Sequence, residues 1–496
     1  MNQKTPVILV NNLKPNKGGR TQAIIKRANM LTKVYENVLI ITMNYQKNFA
    51  DDINSLYYNN KLNKNVKVLN FLEELKVNNK IKSLLNRLIP YGKFPMRHLN
   101  KIETEDEIFN GYEKYDGKKR LKNIDYFNGN NQLVKRKEFN TKGQLSRTVY
   151  MDSSTSNPCL IKYFNNKGKS YLRVELKGKK SKGDFTILIK ENKVKKYNTL
   201  FDLQLDWLNK VFSEIKSPTV ICDARQLDKL LVNLEHKNIK KTAIIHGSHL
   251  AKPHNDVTRM RAPHKRLLDY NKKVDKIIVL TNEQKRDIEL MYHIGDKIEV
   301  IPHSNEVTFV QKEEKNIKRN NKTVITMARY NKIKRIDEAI KAFKIVVNSV
   351  PDAIYNIYGT GPLKKELKNL IKELGLENNV FLKGYCSNPH LAYQSAACSV
   401  LTSEYEGFGL VITESMTEGT PVVSYNIKYG PNEIITDGVD GYLIKNGDKS
   451  MLADRVITLL ENNELREKLS RNACNVCESF SEDKYKKNWV NLIENL

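Results

Sequence analysis

The sequence predicts an α/β fold of two halves with parallel sheets, interrupted by an inserted antiparallel β-hairpin meander. Short apolar strands alternate with amphipathic helical segments towards both ends of the chain, as in parallel sheets covered by helices. Between residues 85 and 200 this alternation stops, and aromatic residues recur directly before Asn- and Gly-containing turns. A length of 496 residues allows about three domains of ~150 residues each.

The first α/β segment spans residues 1–84. A strand over residues 7–10 leads through a glycine-containing turn into an amphipathic helix over residues 21–31, and a second strand follows over residues 38–42. This order predicts the start of a parallel sheet.

The meander is predicted over residues 85–200. Its aromatic-then-turn units lie at residues 126–129, 139–143 and 163–168. Asn and Gly accept the positive φ angles that tight hairpins require. Because a meander with one apolar face needs a partner surface, the insert predicts a homo-oligomer that forms through it.

The α/β alternation resumes at residue 201. Within residues 201–306, strands are predicted to end at Cys222, His246, Leu280 and His303. Within residues 307–480, strands are predicted over residues 324–328, 353–358, 380–383, 399–402 and 421–424. Residues 481–496, with Trp489, predict a final amphipathic helix, and we expect this helix to cross back to the N-terminal half. Two such halves facing a cleft suit a nucleotide-bearing ligand.

Composition excludes several classes of protein. Hydrophobic residues make up 40% and charged residues 28% of the chain, which is typical of a globular protein. No apolar run approaches the ~20 residues that span a bilayer, and residues 1–10 lack the features of a signal peptide. The six cysteines are widely scattered, as expected for reduced thiols. We therefore expect a cytoplasmic protein rather than a secreted disulfide scaffold, a membrane transporter or a coiled coil.

The net charge of +28 predicts a polyanionic partner. Residues 111–200 carry 22 Lys and Arg against 8 Asp and Glu, so half of the total surplus lies in the meander. Nucleic acid, an anionic membrane face, a polyphosphodiester and an acidic protein would all satisfy this charge.

The strongest chemical signal lies between Glu404 and Glu414, in a Gly-rich turn that leads from a strand into a helix. Such a turn directs free backbone amides and the positive end of the helix at one spot, where a diphosphate is stabilised. Glu406 is predicted to accept hydrogen bonds from sugar hydroxyls. Glu414, two helical turns later on the same face, is predicted to bind ribose. Two exposed glutamates on an ordinary helix would show the same spacing.

Arg329 and Lys334 form the second signal. They lie five residues apart in a loop that follows a strand, so both could reach a leaving diphosphate. Arginine offers a planar fork of donors and lysine a mobile point charge. A solvated basic loop is the alternative in a chain with 84 Lys and Arg.

Two weaker signals come from residues earlier in the chain. Gly18 and Gly19 lie between the first strand and the first helix, where paired glycines allow close approach of a phosphate, although glycine also simply makes turns. His249 follows a predicted strand, a position where histidine is more often structural than catalytic.

Taken together, these motifs resemble the retaining glycosyltransferases of family 4, which have the GT-B fold of two Rossmann-like domains. The resemblance is most specific over residues 329–334 and 406–414, with supporting matches at residues 358–362, 382–385 and 419–423. Residues 427–433 and the basic insert are similar to the branch that glycosylates wall teichoic acid, which includes teichoic acid α-N-acetylglucosaminyltransferases and poly(glycerol-phosphate) α-glucosyltransferases.

The resemblance implies a role for each matching residue. Arg329 and Lys334 would neutralise the departing UDP, Glu406 would hold a hydroxyl of the transferred sugar, and His249 would lie near the donor sugar. The remaining contacts to the UDP-sugar donor would come from Gly18, Gly19, Gly384, Tyr385, Phe408, Gly409, Leu410 and Glu414, with Gly384 and Tyr385 against the uracil and Glu414 on the ribose.

The same resemblance implies chemistry without a protein nucleophile. No metal or other cofactor is expected, since no Asp-x-Asp motif follows a strand. The acceptor would approach the face that UDP leaves, and the departing phosphate would take its proton. Glu406 is therefore not assigned the nucleophile role that a carboxylate has in retaining glycosidases.

The acceptor implied by the resemblance is a polyol-phosphate polymer, with UDP-glucose or UDP-N-acetylglucosamine as the donor. The alternative acceptor is a serine in a Ser-rich or Ser-Asp-repeat surface protein, glycosylated in the cytosol. Since both acceptors are polyanions, charge does not decide between them. A more distant alternative is a non-catalytic polyanion- or nucleic-acid-binding protein, whose aromatic residues would stack on bases. Since hairpin packing explains those aromatic residues more simply, we expect no nucleic acid partner. A peripheral contact with the inner membrane face also fits the surplus of positive charge.

Overall fold

The structure is a computed structural model, and it describes residues 4–15, 18–76, 110–176, 185–190, 193–305 and 319–496. The chain divides into two compact units, Met1–Lys241 and Thr242–Leu496. The predicted boundaries at residues 84/85 and 306/307 fall in segments 77–109 and 306–318, outside the described residues.

Unit 1 begins with alternating strands and helices, as the sequence predicts. These elements are β1 (Thr5–Val10), α1 (Gly19–Leu31), β2 (Val38–Thr42), α2 (Phe49–Tyr58), β3 (Val66–Asn70) and α3 (Phe71–Lys76). Strand β2 pairs in parallel with both β1 and β3. Every residue of β2 is buried, which is typical of a parallel strand covered on both faces. The predicted parallel sheet is confirmed.

The antiparallel meander follows. Its eight strands are β4 (Asn110–Tyr115), β5 (Leu121–Phe127), β6 (Leu133–Phe139), β7 (Leu145–Met151), β8 (Pro158–Phe164), β9 (Ser170–Glu175), β10 (Phe185–Lys190) and β11 (Lys193–Tyr197). They lie side by side in chain order in one sheet. Three hairpins repeat one turn design, in which an asparagine side chain accepts hydrogen bonds from the backbone N–H groups two and four residues later; these asparagines are Asn128, Asn140 and Asn165. The predicted turn units are therefore confirmed.

The apolar face of the meander packs against the α/β part of unit 1. The ring of Tyr163 lies 5.8 Å from that of Tyr45, and the hydroxyl of Tyr171 donates to the carbonyl oxygen of Leu72 over 3.0 Å. Leu172 and Val174 are buried as well. The same chain thus supplies partner surface for the meander, and self-association through it stays a prediction.

Unit 1 closes with α4 (Leu200–Ser213), β12 (Pro218–Cys222) and α5 (Asp228–Val232). Strand β12 pairs in parallel with β1 and ends at Cys222, as predicted. Within unit 1 the parallel sheet has the strand order β12-β1-β2-β3, and the division between the units falls within β13 (Lys240–Ile244).

Unit 2 continues with α6 (Ala262–Asp269), β14 (Lys276–Val279), α7 (Asn282–Tyr292) and β15 (Ile298–Val300). The predicted strand ends at His246 and His303 are wrong by two and three residues, since β13 ends at Ile244 and β15 at Val300. One backbone hydrogen bond continues beyond each strand, from Ile245 and Ile301. Both histidines lie in the loops that follow, where their rings stack with centroids 5.7 Å apart.

The second half of unit 2 is a doubly wound sheet. Its strands are β16 (Asn320–Met327), β17 (Ile354–Tyr358), β18 (Val380–Gly384), β19 (Ala396–Leu401), β20 (Val422–Asn426) and β21 (Gly441–Lys445). Its helices are α8 (Ile336–Ser349), α9 (Lys364–Glu373), α10 (Pro389–Gln394), α11 (Leu410–Thr417), α12 (Pro431–Ile434), α13 (Lys449–Glu461), α14 (Asn463–Ala473), α15 (Val476–Ser479) and α16 (Glu482–Glu494). The strand order is β18-β17-β16-β19-β20-β21, so the order reverses between β16 and β19.

The last helix, α16, has the predicted amphipathic character. Trp489 is 1% exposed and packs against the ring of Tyr485 at 6.2 Å. The return of this helix to the N-terminal half stays a prediction. Within the described residues, no helix combines the length and apolar character needed to cross a membrane.

Candidate active site

The candidate site lies where the strand order of the second sheet reverses. Ligands of doubly wound sheets bind at this point, beyond the carboxyl ends of the strands. The loop after β16 carries Arg329 and Lys334, and the loop after β19 carries Glu406. The backbone N–H of Glu404 donates to the carbonyl oxygen of Ile333 over 2.7 Å, which joins the two loops.

Lys334 and Glu406 form an ion pair between these loops. The ammonium of Lys334 and the hydroxyl of Ser403 both bond to Oε1 of Glu406, the hydroxyl over 2.7 Å. The two side chains of the pair are only 16% and 14% exposed. The sequence-predicted cation and carboxylate are therefore brought together, and Ser403, which sequence reasoning missed, orients the carboxylate.

Arg329 occupies a different environment from Lys334. Its side chain is exposed, and it forms no ion pair within the part of the chain that the structure describes. A guanidinium without a carboxylate partner is available to an anionic ligand. The contact of Arg329 with a diphosphate stays a prediction.

Two glycines fix the path of the Glu406 loop. A Cβ at Gly407 would lie 2.0 Å from the carbonyl oxygen of His246, and a Cβ at Gly430 would lie 1.8 Å from that of Phe408. Glu406 also exchanges backbone hydrogen bonds of 3.1 and 3.2 Å with Lys428 and Tyr429. The loop thus packs between residues 246–247 and 428–430, with no room for side chains at these contacts.

The predicted position of Glu406 in the turn is confirmed, but the predicted two helical turns between Glu406 and Glu414 are wrong. Helix α11 begins only at Leu410, after Gly409 adopts a left-handed φ of +91°. Glu406 therefore lies in the turn, and Glu414 alone lies on the helix, one turn from its start. The backbone amides of Gly409 and Leu410 stand at the positive end of α11, the arrangement that favours an anion.

His249 is completely buried in unit 2. Burial lowers the pKa of its imidazole to about 4, so the ring is neutral at pH 7. The ring stacks on that of Tyr429, with centroids 5.7 Å apart. A neutral imidazole suits a hydrogen bond to a sugar oxygen, and the predicted place of His249 near the donor sugar stays a prediction.

Residues 428–433, which include the Tyr429 ring that stacks on His249, bond to helix α7. Asp287 accepts a hydrogen bond from the hydroxyl of Tyr429 over 2.7 Å and pairs with the ammonium of Lys428. The carboxylate of Glu433 accepts from the backbone N–H of Asn282 over 2.9 Å. The sequence indicated residues 427–433 as a family match but did not predict these contacts. A carboxylate on another element of the chain leaves no pattern in the local sequence.

The residues predicted to contact uracil lie at the same edge of the sheet. Gly384 is the last residue of β18, with a φ of +77°, and its carbonyl oxygen accepts from the N–H of Gly359 over 2.7 Å. Tyr385 follows it and is 78% exposed.

Gly18 and Gly19 lie in unit 1, where α1 begins at Gly19. A Cβ at Gly18 would meet no atom within 4 Å. Protein packing therefore does not require glycine at position 18, and its role towards a ligand stays a prediction. Within the described residues no group of three His, Cys, Asp or Glu side chains is placed to hold a metal ion.

Two glycosyltransferase family models match the chain. The family described as glycosyl transferases group 1 matches residues 307–476, which include Lys334 and Glu406. The family described as glycosyl transferase 1 domain A matches residues 8–187. The chain therefore contains glycosyltransferase group 1 domains.

Similar proteins match this glycosyltransferase along almost its whole length. Poly(ribitol-phosphate) α-N-acetylglucosaminyltransferase of Staphylococcus aureus (strain COL) is 28% identical over 496 residues, which cover 98% of each chain. Poly(glycerol-phosphate) α-glucosyltransferase of Bacillus subtilis (strain 168) is 26% identical over 498 residues, which cover 96% of this chain and 73% of the relative.

Solved structures agree in fold. The crystal structure of S. aureus TarM has a TM-score of 0.80 and 26% identity, with 99% of both chains covered. A TarM G117R mutant solved with fondaparinux, α-GlcNAc-glycerol and UDP matches with the same values. The pneumococcal O-GlcNAc transferase GtfA has a TM-score of 0.74 at 18% identity, which shows a shared fold. This glycosyltransferase therefore has a GT-B-like fold.

Proposed function

We propose that the chain is a retaining family 4 glycosyltransferase that moves glucose or N-acetylglucosamine from a UDP-sugar to hydroxyls of a polyol-phosphate polymer, wall teichoic acid, in α linkage. The observation that carries this proposal is similarity along 98% and 96% of the chain to two enzymes named for polyol-phosphate acceptors. The Lys334–Glu406 pair, at the place where the strand order of the sheet reverses, supplies a suitable site.

The reaction breaks the bond between the anomeric carbon and the UDP oxygen and forms a bond to an acceptor hydroxyl oxygen. The acceptor proton passes to the departing phosphate. In our proposal Lys334 and Arg329 stabilise the negative charge that develops on UDP, together with the amides at the start of α11. Such preorganised donors contribute a large share of rate enhancement because they need no reorganisation during the reaction.

Glu406 serves the sugar rather than the phosphate in this proposal. The ammonium of Lys334 and the hydroxyl of Ser403 both bond to its Oε1 atom, which orients the carboxylate. An ionised, oriented carboxylate accepts hydrogen bonds from sugar hydroxyls. Glu414 would bind the ribose, while Gly384 and Tyr385 would lie against the uracil. Gly18 and Gly19 would let the N-terminal loop approach the diphosphate. No step in this mechanism calls for a metal ion.

The meander is proposed as the holder of the anionic polymer. Strand pairing places Tyr126 opposite Lys135, and Lys135 opposite Tyr150. The ammonium of Lys135 lies 5.5 and 5.4 Å from the centroids of these rings. Lys137 and Lys162 lie 5.5 Å from Tyr126 and Tyr150, respectively.

These three lysines lack counter-charges. None of them pairs with a carboxylate within the described ranges, and burial lowers the pKa of Lys137. Lys135 and Lys137 project from one face of a strand about 6.8 Å apart. A chain of phosphodiesters would supply the missing negative charge along this face.

We further propose a role for each domain and a place in the cell. Residues 1–84 with 201–306 would form the acceptor domain, residues 85–200 the polymer-binding and oligomerisation domain, and residues 307–480 the nucleotide-sugar domain, with residues 481–496 as a final helix. The enzyme would work in the cytoplasm, in peripheral contact with the inner membrane face.

A four-way assay tests the acceptor. The protein is incubated with purified polyol-phosphate polymer or with a Ser-Asp-repeat peptide, each with UDP-glucose and with UDP-N-acetylglucosamine. We expect transfer to the polymer with one of the donors. Transfer to the peptide alone would overturn the proposal in favour of a protein O-glycosyltransferase.

A further inference from the structure

Gln284 contacts the candidate site from helix α7, and no motif of the sequence assigns it a role there. It is completely buried. Its amide nitrogen donates to the carbonyl oxygen of Gly247 over 3.0 Å and lies 3.3 Å from Nδ1 of His249.

The local sequence predicts a different role for Gln284. Thr281 caps α7, and its hydroxyl accepts from the backbone N–H of Gln284 over 3.2 Å. In a capping box, the glutamine side chain would reach back to the backbone N–H of the cap residue. Here it reaches instead to Gly247 and His249, on the loop that follows β13. The side chain therefore serves a tertiary contact rather than the helix end.

The two contacts of Gln284 determine where the proton of His249 lies. Only the NH₂ group of an amide donates to a carbonyl oxygen, so the contact with Gly247 fixes the orientation of the amide. The same NH₂ group faces Nδ1 of His249, which must then accept. Since a neutral imidazole carries one proton, that proton resides on Nε2.

The charged groups around His249 leave this arrangement undisturbed. Asp287, Lys428 and Arg261 exert charge effects on the ring. Asp287 is occupied by the ammonium of Lys428 and the hydroxyl of Tyr429, and the Tyr429 ring stacks on the imidazole. None of these groups forms a hydrogen bond with Nδ1, so its only partner within the described residues is Gln284.

We propose that Gln284 is a positioning residue that holds His249 in the neutral Nε2–H form, which makes His249 a hydrogen-bond donor to an oxygen of the bound sugar donor. The Nε2 atom is buried and has no partner within the described part of the chain. That the sugar donor is the partner of Nε2 rests on the proposed function, whereas the assignment of the tautomer does not. Because Nε2 already carries the proton, His249 does not take the proton of the acceptor, which leaves that role to the departing phosphate.

The tautomer is measured directly by ¹⁵N NMR of histidine-labelled protein, with the His249 signals identified by their loss in His249→Gln. We expect an unprotonated Nδ1 and a protonated Nε2. In Gln284→Glu the carboxylate accepts rather than donates, so a proton should appear on Nδ1. A wild-type ring protonated at Nδ1, or a Gln284→Glu ring unchanged from wild type, would overturn the proposal.

A matched pair of variants separates positioning from stability. Gln284→Met removes the amide at nearly constant volume, and Gln46→Met does the same to another buried glutamine, which bonds to Leu13 and Asp52 in unit 1. We expect both variants to lose thermal stability and Gln284→Met alone to change the His249 signals. Equal changes in both spectra would contradict the proposal. Since this readout needs no acceptor, it decides the inference even if transfer to the polymer fails.

Transfer kinetics supply the functional consequence. Gln284→Glu should lower kcat for sugar transfer at least about tenfold, while KM for the polymer stays unchanged. A normal kcat in a variant whose tautomer has switched would show that the position of the proton has no catalytic consequence.

Discussion

At the scale of single residues, Lys334 and Glu406 define the site because each limits the freedom of the other. An ammonium and a carboxylate that are both mostly buried are costly when unpaired and well oriented when paired. The pair thus holds a cation and a hydrogen-bond-accepting carboxylate at fixed positions before any ligand binds.

Removing either partner should slow transfer strongly. Lys334→Ala and Glu406→Ala should each lower kcat/KM at least about a hundredfold, the scale of losing one preorganised electrostatic contact. Lys332→Ala is the matched control, because Lys332 is an exposed lysine of the same loop. Steady-state kinetics with varied UDP-sugar give the comparison, and near-normal turnover in both site variants would mean that the site lies elsewhere.

His249 should make stability depend on pH. Its pKa is about 4 in the folded chain against 6.5 for the unperturbed group, so the unfolded chain binds more protons between these values. Stability is therefore lost as pH falls from 6.5 towards 4. Between pH 7 and pH 5 this amounts to about 2 kcal/mol.

Urea unfolding at pH 7 and pH 5 measures this effect. His249→Gln should lose about 2 kcal/mol less than wild type over that interval, because all other histidines are common to both proteins. Parallel losses in the two proteins would contradict the buried neutral ring.

At the scale of elements, the turn between β19 and α11 depends on glycine where two backbones touch. Gly407→Ala places a methyl group 2.0 Å from the carbonyl oxygen of His246, so the backbone must move. We expect a loss of about 1–3 kcal/mol, as for overpacking in general, and reduced transfer, because Glu406 is the adjacent residue.

Gly129→Ala is the control for this substitution. Gly129 lies in a hairpin turn of the meander, and a Cβ there would meet no atom within 4 Å. Its unfolding free energy should change by less than about 0.5 kcal/mol. Equal losses at the two positions, measured by denaturant unfolding, would show that close packing at Gly407 is not the cause.

At the scale of the whole molecule, the meander carries half of the surplus positive charge of +28 and should therefore dominate the binding of the polymer. The triple variant Lys135→Gln, Lys137→Gln and Lys162→Gln should raise KM for the polymer at least about tenfold at 50 mM salt and flatten its salt dependence, since fewer counterions are released. KM for the UDP-sugar should not change.

A control variant must separate the effect of losing three positive charges from the effect of losing them on the meander. Lys364, Lys365 and Lys368 are exposed lysines on or near the first turns of α9, and their triple change to Gln removes the same charge. We expect little effect on KM for the polymer. A loss equal to that of the meander variant would assign binding to the overall charge rather than to the meander face.

The sequence by itself determined the alternation of elements, because apolar periodicity and turn residues are local properties. The strands near Val7 and Val38, the asparagine turns at Asn128, Asn140 and Asn165, and the helix with Trp489 all follow from a few neighbouring residues. The motifs around Lys334 and Glu406 could also be identified from the sequence, because each motif lies within one loop.

Only the tertiary structure decided which of these residues meet. Lys334 and Glu406 lie 72 positions apart, and their contact depends on the adjacency of β16 and β19. The start of α11 at Leu410 depends on a left-handed glycine and on packing against Gly430, which periodicity does not report. Gln284 stands at the capping-box position of its helix. Its side chain nevertheless bonds to the buried ring of His249, so a tertiary hydrogen bond replaces the local one.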